Sequence, residues 1–66
     1  MNVTVNGAAR ELTPGTTLAQ VVAELTSAAA GVAVAVNDTV VPRGAWTATV
    51  LADHDRVEVL TAVQGG

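Results

Sequence analysis

The chain has 66 residues, half of them apolar, with a formal net charge of −3 and no cysteine. A domain this small buries only about 60% of the surface its unfolded chain exposes, which excludes a deep, enclosed active site. Without cysteine there is no disulfide framework, and a lone histidine, His54, excludes a multi-histidine metal centre.

Three arginines and no lysine are too few cations for a phosphate backbone, so nucleic acid is not an expected partner. Trp46 is the only aromatic residue, so the core has to be built from Val, Leu and Ala. In this size range such a core rarely supplies more than about 3 to 5 kcal/mol. The longest run of apolar and glycine residues, Ala28 to Val36, is shorter than the stretch of about 20 needed to span a bilayer. No basic and apolar leader follows Met1, so a soluble cytoplasmic protein is the expectation; oligomeric state has no signal in the sequence, and a monomer when free is expected.

Met1, Val3 and Val5 alternate with Asn2, Thr4 and Asn6, the period of a half-buried strand. Asn6-Gly7 suits a type I′ hairpin turn, in which both central residues need positive φ. Ala8 to Leu12 then returns as a second strand, and Thr13-Pro14-Gly15-Thr16 breaks the pattern with turn residues. The period changes at Leu18: Leu18, Val21, Val22 and Leu25 fall at i, i+3, i+4 and i+7 and share one helical face. Thr17 and Gln20 have capping-box spacing. The helix is expected to run from Leu18 to between Thr26 and Ala29, with Gly31 as a left-handed exit, and Leu25→Asp is expected to unfold the domain.

Val32 to Val36 alternates Val with Ala as a third strand, Asn37-Asp38 marks a turn, and Thr39 to Val41 forms a short fourth strand. Pro42 cannot donate to a ladder, which suits a sheet edge. Gly44 to Ala48 reads as irregular or a single turn. Asp53-His54-Asp55 is another turn, and Val57 and Val59 alternate with Glu58 and Leu60 in a final strand.

Two hairpin-like halves around one helix predict an α+β fold with the β-grasp, or ubiquitin-like, order: a mixed sheet of four to five strands, one helix packed across one face, and the first and last strands central and parallel. Residues 1–60 are read as that domain and residues 61–66 as a flexible C-terminal tail ending Gly-Gly.

The side chains offer no Cys nucleophile, no placeable Ser/His/Asp set, no phosphate-cradling loop and no Schiff-base lysine. Catalysis by this chain, or a bound cofactor or metal, is not expected. The chain end is the chemically interesting group. Gly65 and Gly66 lack Cβ atoms, so their backbone can thread a narrow channel and leave a sterically bare carboxylate. That carboxylate can attack the α-phosphate of ATP in a partner that supplies metal and cations, giving an acyl-adenylate open to a sulfur or nitrogen nucleophile. Six extended residues reach about 20 Å, enough to enter a buried site while the body docks outside.

Asn37-Asp38-Thr39-Val40-Val41-Pro42-Arg43-Gly44-Ala45-Trp46 looks like an N-x-x-[IV]-V-P-R-x-x-W segment, and Val50 to Gly66 looks like the closing strand and tail, of one family. Over its whole length the chain resembles the ThiS family of thiamine-biosynthesis sulfur carriers. The resemblance implies that an E1-like ThiF adenylyltransferase activates the Gly66 carboxylate with ATP. It further implies that a sulfur donor such as a cysteine desulfurase supplies persulfide sulfur to make a thiocarboxylate, and that thiazole synthase ThiG consumes it. Gly66 is then the modified group, and Gly65, Gln64 and Val63 enter partner active sites.

Arg43 and Trp46 are candidate partner contacts, with Trp46 alternatively covering a core edge. Leu60 should lie on the sheet face away from the helix, as a further contact alongside Ala33, Ala35 and Val63. His54 stands where the family commonly has glycine, which points to a positive φ in a solvated turn. Two rival readings stay open: a carrier of the same mechanism serving molybdopterin or cysteine synthesis, and a noncovalent ubiquitin-like interaction module.

Overall fold

A computed structural model describes residues 1–27 and 31–61. Strand β1 (Asn2–Val5) turns through Asn6 and Gly7 into β2 (Ala8–Glu11). Both turn residues have positive φ, 50° and 83°, as the type I′ geometry demands. The ladder is antiparallel, Val3 opposite Arg10 and Val5 opposite Ala8. At Thr13 to Thr16 the turn closes through the Thr16 N–H donating to the Thr13 carbonyl at 3.2 Å, with Gly15 at φ 92°.

Helix α1 (Leu18–Leu25) starts on a complete capping box. The Thr17 hydroxyl accepts from the Gln20 N–H, and the Gln20 side chain accepts from the Thr17 N–H at 2.8 Å. The helix ends at Leu25, short of the expected limit between Thr26 and Ala29, and two expectations change with it. Its C-cap is Thr26, in extended backbone, so Gly31, at φ 75°, does not cap it and instead leads into β3. Leu18, Val21 and Val22 are buried, but Leu25, on the last helical residue, is 41% exposed. Burial of the fourth position needs a continuing turn against the core, and the helix ends there. Leu25→Asp is therefore not a core-breaking change. Residues 28–30, the far limit expected for the helix, lie outside the described residues.

Strand β3 (Val32–Val36) meets β4 (Thr39–Val40) through Asn37 and Asp38, at φ 50° and 71°. β4 stops one residue earlier than expected. Pro42 then begins a six-residue 3₁₀ segment, Arg43–Ala48, where the sequence pattern indicated at most one turn. The following residues are tied to the helix start: Leu18 N–H donates to Thr49 O at 2.8 Å and Leu51 N–H to Thr16 O at 3.0 Å. Strand β5 (Arg56–Thr61) closes the fold and takes in Thr61, one residue of the segment expected as tail.

The sheet order is β2-β1-β5-β3-β4. β5 is central, parallel to β1 and antiparallel to β3, with Val57 facing both Val5 and Val36. One sheet face carries Val3, Val5, Val34, Val57 and Val59 against Leu18, Val21, Val22, Trp46 and Leu51, and these ten residues are the buried core. On the same side Arg10, opposite Val3, pairs with Glu24 of α1. The mixed five-stranded sheet with one helix across one face is the β-grasp arrangement. Among the described residues, no helix is long and apolar enough to cross a membrane.

Candidate functional site

β5 leads to the chain end, and its alternation sorts its side chains. Val57 and Val59 enter the core, whereas Arg56, Glu58 and Leu60 face away from the helix. Register places Leu60 beside Ala33 and Glu58 beside Ala35, and Ala35 in turn beside Val40 of β4. Ala33, Ala35, Val40, Glu58 and Leu60 line a shallow apolar depression on this open face. Leu60 and Val40 are each 71% exposed, the most exposed large apolar side chains described. An ion pair from Arg56 to Asp38 at 2.6 Å borders the patch. The two alanines matter because their small side chains leave the larger ones standing above a flat floor.

The backbone of β5 is held by two asparagines from the hairpin turns. Asn6 donates through Nδ2 to Val59 O at 3.1 Å and accepts through Oδ1 from Val59 N–H at 2.8 Å. At the other end, Asn37 accepts through Oδ1 from Arg56 N–H at 2.9 Å and donates through Nδ2 to Asp55 at 2.9 Å. Each side chain thus completes a ladder where its own strand has ended.

Arg43 and Trp46 lie elsewhere. Trp46 is a core residue, 7% exposed, with its indole N–H donating to Val41 O at 2.9 Å. Arg43 stacks over the indole at 5.4 Å, and both line a groove with Ala19, Val22 and Ala23 of α1. They sit on the helix side of the sheet, away from Leu60. Of the two readings open for Trp46, the structure favours the core. Val63, Gln64, Gly65 and Gly66 lie outside the described residues.

His54 has φ 71°, the backbone conformation its position implied. Its N–H donates to Asn2 O at 2.6 Å, and its ring is within 3.4 Å of Asp53. Asp53 accepts from Asn2 N–H at 2.7 Å. That hydrogen bond, helped by the charges of His54 and the N-terminus, holds its carboxyl below the ordinary value. Among the described residues, no three His, Cys, Asp or Glu side chains are grouped to hold a metal.

Two features escaped the sequence reading. Val40 joins the open face because a two-residue turn sets its register against Ala35, a signal present in Asn37-Asp38. The asparagine side chains' grip on β5 is long-range, and no local signal announces it.

A mixed sheet with its last strand at the centre, one helix behind it and an exposed apolar patch on its open face defines a ubiquitin-like β-grasp protein. The chain belongs to the ThiS family, whose profile it matches over residues 3–66. It is 29% identical over 66 residues to the sulfur carrier protein ThiS of Escherichia coli K12, covering all of both chains. It is also similar to the crystal structure of the thiamine biosynthesis protein ThiS from Geobacter metallireducens, at 35% identity, TM-score 0.79 and full coverage of both chains. Against the solution structure of a Geobacter metallireducens thiamine biosynthesis protein the identity is 35% and the TM-score 0.78, covering all of this chain and 88% of that one.

Proposed function

We propose that this ThiS-family sulfur carrier for thiamine biosynthesis bears its cargo on the Gly66 carboxylate and acts as a recycled protein substrate rather than a catalyst. The observation that carries the reading is the family match, which runs through Gly66 and so includes the Gly-Gly segment in the shared pattern. The β-grasp body, which takes in Thr61, acts as a handle and the residues beyond it as the arm.

In an E1-like ThiF adenylyltransferase, a carboxylate oxygen attacks the α-phosphorus of ATP and pyrophosphate leaves. The terminal sulfur of a persulfide, supplied by a donor such as a cysteine desulfurase, attacks the acyl carbon and AMP leaves. A thiol then cleaves the acyl disulfide and frees the thiocarboxylate for thiazole synthase ThiG. The partner supplies cations for phosphoryl transfer. Gly65, Gln64 and Val63 pass through its channel, with glycine giving the least bulk. The exposed face around Leu60 and Val40 is the docking surface at the base of the arm. The protein works in the cytoplasm, where the activating enzyme meets ATP.

Intact-mass analysis after incubation with ATP, the E1-like enzyme and a persulfide donor tests the proposal. The expected product has one terminal oxygen exchanged for sulfur, and a chain ending in a Gly66 amide stays unconverted. Conversion of the amide overturns the assignment.

A further inference from the structure

We infer that Asn6 is a positioning residue for activation of the chain end: its side-chain amide, paired with the Val59 backbone, fixes the direction of the last residues of β5. The inference rests on the carrier reading above.

Asn6 occupies the first central position of the β1–β2 turn, where β1 can pair no further. Its own N–H donates to Val57 O at 2.9 Å. Its side chain then takes both polar groups of Val59, at 2.8 and 3.1 Å, so an amide group stands in for the next residue of a parallel neighbour. Both bonds are partly buried, where a lost partner costs more than in water. On the β3 side the antiparallel ladder continues to Thr61 opposite Val32. On the β1 side, Val59 is the last β5 residue paired among the described residues. The strand is thus held from both sides at Val59 and from one side beyond it.

Five residues follow Thr61, the last β5 residue paired with β3 among the described residues, and the fifth is Gly66. Extended in a partner's channel at about 3.3 Å each, they reach about 17 Å, and a tilt of about 10° in the end of β5 displaces the far end by about 3 Å. In-line attack on a phosphorus atom tolerates far less, since misplacement of about 1 Å costs on the order of 100-fold in rate. The amide grip therefore acts on the chemical step more than on docking through the open face.

Asn37 supplies an internal control. It has the same φ of 50°, also occupies a hairpin turn, and also accepts from a β5 N–H, but at Arg56, the end far from Gly66. Asn6→Gly and Asn37→Gly each keep the backbone conformation and remove two side-chain hydrogen bonds at opposite ends of the same strand, partly buried ones at Asn6 and exposed ones at Asn37.

The test measures carrier-dependent ATP–pyrophosphate exchange by the E1-like enzyme, resolving kcat and KM for each full-length variant, with amide hydrogen exchange at Val59 in parallel. Asn6→Gly should lower kcat about tenfold or more with KM within about twofold, and speed exchange at Val59. Asn37→Gly should leave kcat within about twofold. Asn6→Asp, which keeps the acceptor for Val59 N–H and loses the donor, should fall between wild type and Asn6→Gly, and reports independently should Asn6→Gly fold poorly. A wild-type chain inert in exchange removes the carrier reading and this inference together. An active wild type with Asn6→Gly matching Asn37→Gly, or an Asn6→Gly effect confined to KM, overturns the inference alone.

Discussion

The indole N–H of Trp46 donates to the Val41 carbonyl at 2.9 Å, spanning the Pro42 break and fastening the 3₁₀ segment to the end of the β-sheet. The ring below that bond is core, so Trp46 supplies both a large apolar surface and one partner for a backbone group. Trp46→Phe keeps most of the surface and orphans the carbonyl, at a cost of about 1 to 3 kcal/mol. At about 4 to 8 °C per kcal/mol for a domain of this size, thermal unfolding should show a clearly lowered midpoint. Trp46→Ala removes about 3 to 5 kcal/mol, comparable with the whole margin of such a core, and should abolish the cooperative circular-dichroism melt.

Leu25 and Val21 share a helical face in the sequence but not a burial environment: Val21 is 1% exposed and Leu25 41%. Val21→Asp places an unpaired charge among core valines and should leave the chain unfolded at 25 °C. Leu25→Asp loses part of one apolar contact and puts a negative charge at a helix C-terminus, together about 1 kcal/mol. It should still melt cooperatively, at a lower midpoint. Loss of the transition in Leu25→Asp would show that the end of α1 is packed more tightly than its exposure indicates.

That contrast marks the boundary of what the residues announce. Features written in adjacent residues were readable: Asn6-Gly7 adopts the expected positive φ angles and Asn37-Asp38 forms the expected turn, and Thr17 with Gln20 closes the capping box. Alternation in β5 also sent Leu60 to the open face. What stayed hidden depends on partners distant in the chain. The 3₁₀ segment follows no period, and Thr49 and Leu51 are fixed by bonds to Leu18 and Thr16. β4 is two residues long, too short for Val40 to declare a face until its pairing with Ala35 is known.

His54 tests the cost of a backbone angle with little interference from packing, since its side chain is 83% exposed. A left-handed conformation costs an L-residue about 1 to 2 kcal/mol, and glycine escapes most of it. His54→Gly should raise the unfolding midpoint by up to about 1 kcal/mol equivalent, offset in part by glycine's greater unfolded-state entropy. His54→Val should lower it, because a branched Cβ tolerates positive φ least. The order Gly, His, Val in chemical denaturation is the expected result; Val at or above His contradicts it.

Asp53 gives the turn a pH dependence of defined sign. The Asn2 N–H, with smaller help from the charges of His54 and the N-terminus, lowers its pKa in the folded state from an ordinary value of 3.8. A depressed folded-state pKa contributes stability that is fully present above the unfolded value and is lost as pH falls through the folded one. The stability gap between wild type and Asp53→Asn should thus be present above 3.8 and close as the pH falls below it. Because the group is exposed, added salt should narrow the gap at neutral pH. A gap that widens as the pH falls below 3.8 has the wrong sign for this account.

Leu60 and Arg43 lie on opposite sides of the sheet, so a partner docked against the body at the base of the arm faces only one of them. The open face has the better claim: Leu60 and Val40 stand above Ala33 and Ala35, and Leu60 lies six residues before Gly66. Both large side chains are 71% exposed, so Leu60→Glu and Val40→Glu should change stability by no more than about 0.5 kcal/mol. A carboxylate at either position meets Glu58 on the same face and must be desolvated under an apolar partner surface, raising KM for the activating enzyme by about tenfold or more. Arg43→Ala reports on the other side of the sheet. If Arg43→Ala raises KM while Leu60→Glu leaves it unchanged, the partner grips the groove between α1 and the 3₁₀ segment, and the open face is not the docking surface.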